Sequence, residues 1–157
     1  MKAKIYVETT IVSYLTAKPS RDLVIAAHQQ ITQEWWEARR QTFDLFISEL
    51  VIREAGAGDE FAAQKRLDAL KEIALLELNE ETLYLARELV QKGTIPERAK
   101  EDALHIALAT VHGMDYLLTW NCHHIANAEM RRGVASVCMS LGYETPVIST
   151  PEELMGD

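Results

Sequence analysis

Two hydrophobic periods alternate along the chain. Residues 4–7, 43–47, 74–78, 116–120 and 147–148 are short apolar, β-prone runs. Between them, apolar residues recur at helical spacing. A short helix is predicted around 11–15, ended by Pro19 and Ser20. A long one is predicted over 22–40, where Leu23, Ala27, Ile31 and Trp35 recur at steps of four and define its buried side. Further helices are predicted over 49–55, 59–72, 80–92, 97–112 and 127–141. Ser48 and Asn79 supply N-caps, and Gly56, Gly93, Gly113 and Gly142 supply stops. Thr150-Pro151-Glu152-Glu153 reads as a last helix start. Strands that alternate with helices predict an α/β fold: a three-layer α/β/α sandwich with a mainly parallel sheet. In such folds function gathers at the carboxyl ends of the strands.

The chain has 157 residues, 48% of them hydrophobic and 25% charged, with no linker and no repeat. This predicts one domain over residues 1–157. Cys122 and Cys138 cannot form a disulfide framework, which points to a reducing, cytoplasmic setting. No apolar run approaches the roughly 18 residues of a membrane span. The early Glu8 argues against a signal peptide. The net charge of −8 excludes a simple basic glove for nucleic acid. It leaves room for an enzyme that gathers carboxylates around a cation. Phosphate-binding glycine loops, GxSxG and HExxH are all absent from the sequence, which removes nucleotide triphosphatase, serine hydrolase and zinc protease readings.

Four polar positions fall where such chemistry would sit. Glu8 follows the first strand directly; it reads equally as a site acid or as a cap of the next helix. On the helix 49–55, Glu54 lies three and four residues from Val51 and Leu50, on the apolar side. Glu49 lies four residues from Arg53, as a solvent-facing ion pair would. Asp102 opens the apolar stretch 103–111, more than a turn inside a helix that starts at Glu97. Asn121 ends the fourth strand beside Thr119. If these strands adjoin, Glu8, Glu54, Asp102 and Asn121 converge on one sheet edge. Crowded carboxylates raise one another's pKa unless a cation joins them. Oxygen ligands favour Mg²⁺ or Mn²⁺. His105, one turn beyond Asp102, reads as a satisfied core histidine, with contact at the rim of the site as the alternative. Trp36 reads as core cover or partner contact.

The stretches Ile5-Tyr6-Val7-Glu8-Thr9-Thr10, Ile47-Ser48-Glu49-Leu50-Val51-Ile52-Arg53-Glu54, Asp102-Ala103-Leu104-His105-Ile106-Ala107 and Leu117-Leu118-Thr119-Trp120-Asn121 resemble, in this order, those of PIN-domain proteins of the VapC-like toxin branch. The resemblance implies a metal-dependent ribonuclease that holds Mg²⁺ or Mn²⁺ on Glu8, Glu54, Asp102 and Asn121. It also implies an RNA substrate, a small antitoxin partner and a homodimer. Two positions depart from the family pattern. Glu8 stands where Asp is usual, so its carboxylate lies outward by about one bond length. Asn121 stands where Asp is frequent, at the cost of one charge. These departures frame a rival expectation: a catalytically weakened PIN-like module that binds RNA or protein.

Overall fold

The apolar runs form five strands in a computed structural model that describes residues 1–157. They are β1 (Lys4–Val7), β2 (Asp44–Ser48), β3 (Ala74–Leu76), β4 (Tyr116–Leu118) and β5 (Val147–Ser149). Every pairing is parallel, and the strand order is β3-β2-β1-β4-β5. Ile5, Tyr6 and Val7 of the central strand are all fully buried, as both faces of a parallel sheet covered by helices require.

From β1 the chain steps outward to β2 through α1 (Thr9–Thr16) and α2 (Leu23–Ala38). It reaches β3 through α3 (Glu49–Ala55) and α4 (Glu60–Leu70). It then returns across the sheet through α5 (Glu80–Gln91) and α6 (Lys100–Val111) to β4, and through α7 (Ala128–Ser140) to β5. Right-handed crossovers in opposite directions place the two helix sets on opposite faces. Packing agrees: α1 packs on α2, α3 and α4, while α5 packs on α6 and α7. The result is the α/β/α sandwich, with its direction reversing between β1 and β4. No helix is long and apolar enough to cross a membrane.

The predicted boundaries hold where a side chain enforces them. Ser48 Oγ accepts from Val51 N, and Asn79 Oδ1 accepts from Thr82 N. Thr150 and Glu153 form a capping box, although the segment that follows is only a 3₁₀ turn.

Three expectations need correction. Within the run 116–120 the strand ends at Leu118; the Thr119 amide still donates to Ser149 O at 3.0 Å, but the Trp120 amide turns to Thr10 Oγ1 and the Asn121 amide to Thr119 Oγ1. The helix predicted from Glu97 begins with a 3₁₀ turn, Glu97–Ala99, and α6 starts only at Lys100. Asp102 therefore lies in the first turn of α6, where the helix dipole also favours its charge. Lastly, α2 leaves the first half of its predicted stripe, Leu23 and Ala27, exposed. Leu23 is 86% exposed, and the buried residues are Gln29, Thr32, Trp35 and Trp36. Only the later turns of α2 lie against the body, so the step-of-four stripe holds at Ile31, which packs half-buried on the core, and at Trp35, and fails at Leu23 and Ala27. Trp36 covers core, with the Arg40 guanidinium 5.0 Å from its ring centroid.

Candidate metal centre

The strand order reverses between β1 and β4, and in open α/β sheets ligands enter the crevice at that point, outside the strands' carboxyl ends. Glu8 stands there. Its amide extends the ladder to Leu118 O at 3.0 Å, and its backbone enters α1 at the N-cap position. Its side chain makes no capping hydrogen bond. Instead, Oε1 accepts from Thr10 Oγ1 at 2.5 Å and from Thr119 Oγ1 at 2.6 Å. At 3% exposure, with no cation of the chain within ion-pairing distance, this carboxylate is costly to bury and is offset only by hydroxyl donors.

Glu54 reaches the same place from α3, whose start is fixed by the Ser48 cap. Its Oε1 accepts from Thr9 Oγ1 at 2.5 Å and meets His105 Nε2 at 2.7 Å. Burial pushes the Glu54 pKa up, but the hydrogen bond from His105, the Thr9 hydroxyl and the nearby Arg53 outweigh it. The net effect holds Glu54 below the usual carboxylate value.

His105 is fully buried on α6. Its Nδ1 lies 2.7 Å from the Tyr6 hydroxyl, which lies 2.8 Å from Ser48 Oγ. Burial drives the Tyr6 pKa far upward, so the phenol stays protonated. Ligand-capable atoms of Glu8, Glu54 and His105 all lie within 4.8 Å of one another.

Asp102 lies outside that cluster. Its Oδ2 pairs with His124 Nδ1 at 3.2 Å, and both side chains are about one-fifth exposed, 21% and 23%. Asn121 Oδ1 accepts from the amides of His123 (3.2 Å) and His124 (3.1 Å). Asn121 thus shapes the loop that carries His124 to Asp102. Of the four residues singled out in the sequence, the structure brings Glu8 and Glu54 together and places Asp102 and Asn121 in this second, linked group.

Glu49 is exposed, but it does not pair with Arg53, contrary to the expected ion pair. Glu49 sits in the first turn of α3, where the helix dipole already favours it, and the charge of Arg53 acts on Glu54 instead. The sequence placed His105 at the rim of the site only as an alternative to a core histidine, and left it out of the cluster. It is a satisfied buried histidine, but one of its two partners is a site carboxylate. Tyr6 was also passed over, although a tyrosine in a fully buried strand must find a partner for its hydroxyl.

The donor set is two carboxylates and one imidazole, with no thiolate among them, and the hydroxyls that hold Glu8 leave its charge in place; such a set suits a divalent cation. The PIN domain family model matches residues 5–122, which include every residue of both groups except those of the loop at His123 and His124. The structure is similar to the crystal structure of VapBC2 from Rickettsia felis bound to a DNA fragment from their promoter. The TM-score is 0.59 at 17% identity, covering 94% of this chain and 98% of that one. No curated protein matches the chain.

Proposed function

The chain belongs to the PIN-domain family, and from that premise we propose that it is a Mg²⁺- or Mn²⁺-dependent endoribonuclease, the VapC-like toxin of a type II toxin–antitoxin pair, acting as one cytoplasmic domain over residues 1–157. The observation that carries this reading is the Glu8–Glu54 pair at the strand ends, Glu8 buried and Glu54 partly so, with no Lys or Arg paired to either carboxylate.

In this reading Glu8 and Glu54 are the principal holders of the ion. Asp102 is the third carboxylate, restrained from the side by His124. Asn121 serves through the loop whose amides it accepts. A bound divalent cation supplies Lewis-acid polarisation of a phosphodiester and lowers the pKa of a coordinated water. The threonine hydroxyls keep the carboxylates oriented before substrate arrives, so little reorganisation remains for the reaction itself.

An RNA substrate fits the cations beside the acids. Arg53, Arg87 and Lys100 line a cleft of about 420 Å³ between α3, α5 and α6, together with Glu97 and Glu101, over the apolar Ala86, Val90 and Leu104; the cations outnumber the acids by one. None of the three cations is engaged in an ion pair of the chain. Phosphates would meet the cations and a base the apolar floor. A small antitoxin as partner is supported by the fold shared with the VapBC2 toxin–antitoxin complex. It is supported further by Leu23, Val24 and Ile25, which stand exposed together at the start of α2. A basic antitoxin side chain entering the crevice would take the place of metal there. A homodimer completes the reading.

Incubating the purified chain with a mixed RNA pool tests it. Cleavage is expected with Mn²⁺, none with chelator, and none from Glu54→Gln. One observation favours a second reading: the Asn121 carbonyl already holds two amides and Asp102 is tied to His124, so the site would be a weakened one on an RNA-binding module. Intact RNA binding with no cleavage under any divalent cation would select that module.

A further inference from the structure

Glu8 and Glu54 divide their oxygens in the same way. In each, Oε1 takes both protein hydrogen bonds, from Thr10 and Thr119 in one case and from Thr9 and His105 in the other. Neither Oε2 has a partner in the chain, and neither is sealed from solvent: the one buried side-chain polar atom without a partner is Trp35 Nε1. The two carboxylates are thus held by one oxygen each and offer the other.

The hydrogen count along the buried chain fixes what His105 does. Ser48 Oγ accepts from the Val51 amide, and its only other partner is the Tyr6 hydroxyl. A buried hydroxyl must place its own hydrogen somewhere. Ser48 therefore donates to Tyr6 Oη, Tyr6 donates to His105 Nδ1, and Nε2 carries the hydrogen that donates to Glu54 Oε1. In this arrangement Nε2 has no lone pair for a metal, and Nδ1 has spent its own on Tyr6.

We propose that His105 is a positioning residue rather than a ligand: held by Tyr6 and Ser48, it pins Oε1 of Glu54, so that Oε2 of Glu54 and Oε2 of Glu8 are the oxygens that receive the cation. This rests on the metal reading above. It also carries a consequence for selectivity. With His105 withheld, the two innermost ligands are oxygens alone, which suits Mg²⁺ and Mn²⁺ better than Zn²⁺. Partners that orient a metal's ligands typically change affinity 10–100-fold when removed.

The test uses the full chain with Mn²⁺ alone as probe. Pulsed EPR reads whether a ¹⁴N nucleus coordinates the ion, and titration calorimetry reads affinity. The expected spectrum of the wild type lacks a directly bound imidazole nitrogen. His105→Ala should weaken Mn²⁺ binding about tenfold or more. His105→Gln should restore most of it, since its amide N–H reaches the position of Nε2. Tyr6→Phe should fall between, having removed the group that sets the tautomer. A ¹⁴N coupling in the wild type that vanishes in His105→Gln would overturn the proposal and leave the metal reading intact. A Gln variant as weak as Ala would overturn it too. A wild type that binds no Mn²⁺ overturns both. Should His105→Ala fail to fold, the wild-type spectrum and the Gln variant still decide.

Discussion

Replacing Glu8 by Gln should stabilise the metal-free protein and abolish its response to metal. Ligand atoms of Glu8 and Glu54 lie within 4.8 Å of each other. Two full charges at that distance repel by about 3.5 kcal/mol at an effective dielectric of about 20. Two effects reduce the gain from removing one of them. Glu54 keeps 32% of its side chain exposed, which screens the pair, and the charge-assisted bonds from Thr10 and Thr119 weaken when their acceptor becomes an amide oxygen. A net gain of about 1–2 kcal/mol remains. In a domain of this size each kcal/mol moves the midpoint by about 2–4 °C, so the metal-free Tm of Glu8→Gln should rise by roughly 2–8 °C. For the wild type, Mn²⁺ at about 100 times Kd adds about 2.7 kcal/mol, or about 5–11 °C, while the variant should barely move. Differential scanning calorimetry with chelator and with Mn²⁺ reads all four states. A variant that melts several degrees below the wild type in chelator would mean that the Glu8 carboxylate is a structural anchor and that the repulsion argument is wrong. A wild type whose Tm ignores millimolar Mn²⁺ and Mg²⁺ would remove the cation from the account.

Glu54 should make stability depend on pH in the acid range. Its folded pKa lies below the ordinary 4.5, so its contribution is complete above that value and is lost as pH falls through the folded value. Urea midpoints measured from pH 6 downward should decline more steeply for the wild type than for Glu54→Gln, and parallel curves would contradict the assignment. Thr32→Val should cost about 1–3 kcal/mol in urea unfolding, because Thr32 Oγ1 is the acceptor of the buried Trp120 Nε1–H at 2.7 Å; an unchanged midpoint would show that the indole finds another partner. Asn121→Ala should speed hydrogen exchange at the amides of His123 and His124, whereas Asn121→Asp, which keeps the acceptor, should not.

The order of elements was legible because local chemistry and global packing agree over most of the chain. Ser48, Asn79 and Asn127 cap the helices they precede, and the apolar run of β1 is long enough only for a strand buried on both faces. The reading strayed where a long-range contact decided the outcome. The run 116–120 is β-prone to its end, but Thr10 is 110 residues away in sequence, and its hydroxyl draws the Trp120 amide off the ladder. The regular spacing of Leu23 and Ala27 is real as well, but it faces solvent, since burial in α2 follows the contacts of its later turns. Periodicity shows that a helix has sides. It does not show how much of the helix has a neighbour.

The same distinction governs the site. Glu8 and Glu54 stood out because each is an acid in an apolar setting, a conflict that a single sequence displays. Thr9 and Thr10 looked ordinary, since threonine is at home in turns and strands, and Thr119 showed only as a hydroxyl at the edge beside Asn121. Yet these hydroxyls are what make the crevice usable. A lysine or arginine in their place would neutralise the carboxylates and compete with any cation for them. A hydroxyl donates one hydrogen bond, holds one oxygen of the acid, and leaves both the charge and the other oxygen in place. The longer side chain of Glu8 belongs to the same arrangement: it spans from the end of β1 to meet Thr10 on α1 and Thr119 beyond β4 with a single oxygen. What reads in sequence as a departure from the shorter acid is, in the fold, the reach that lets two elements hold one carboxylate.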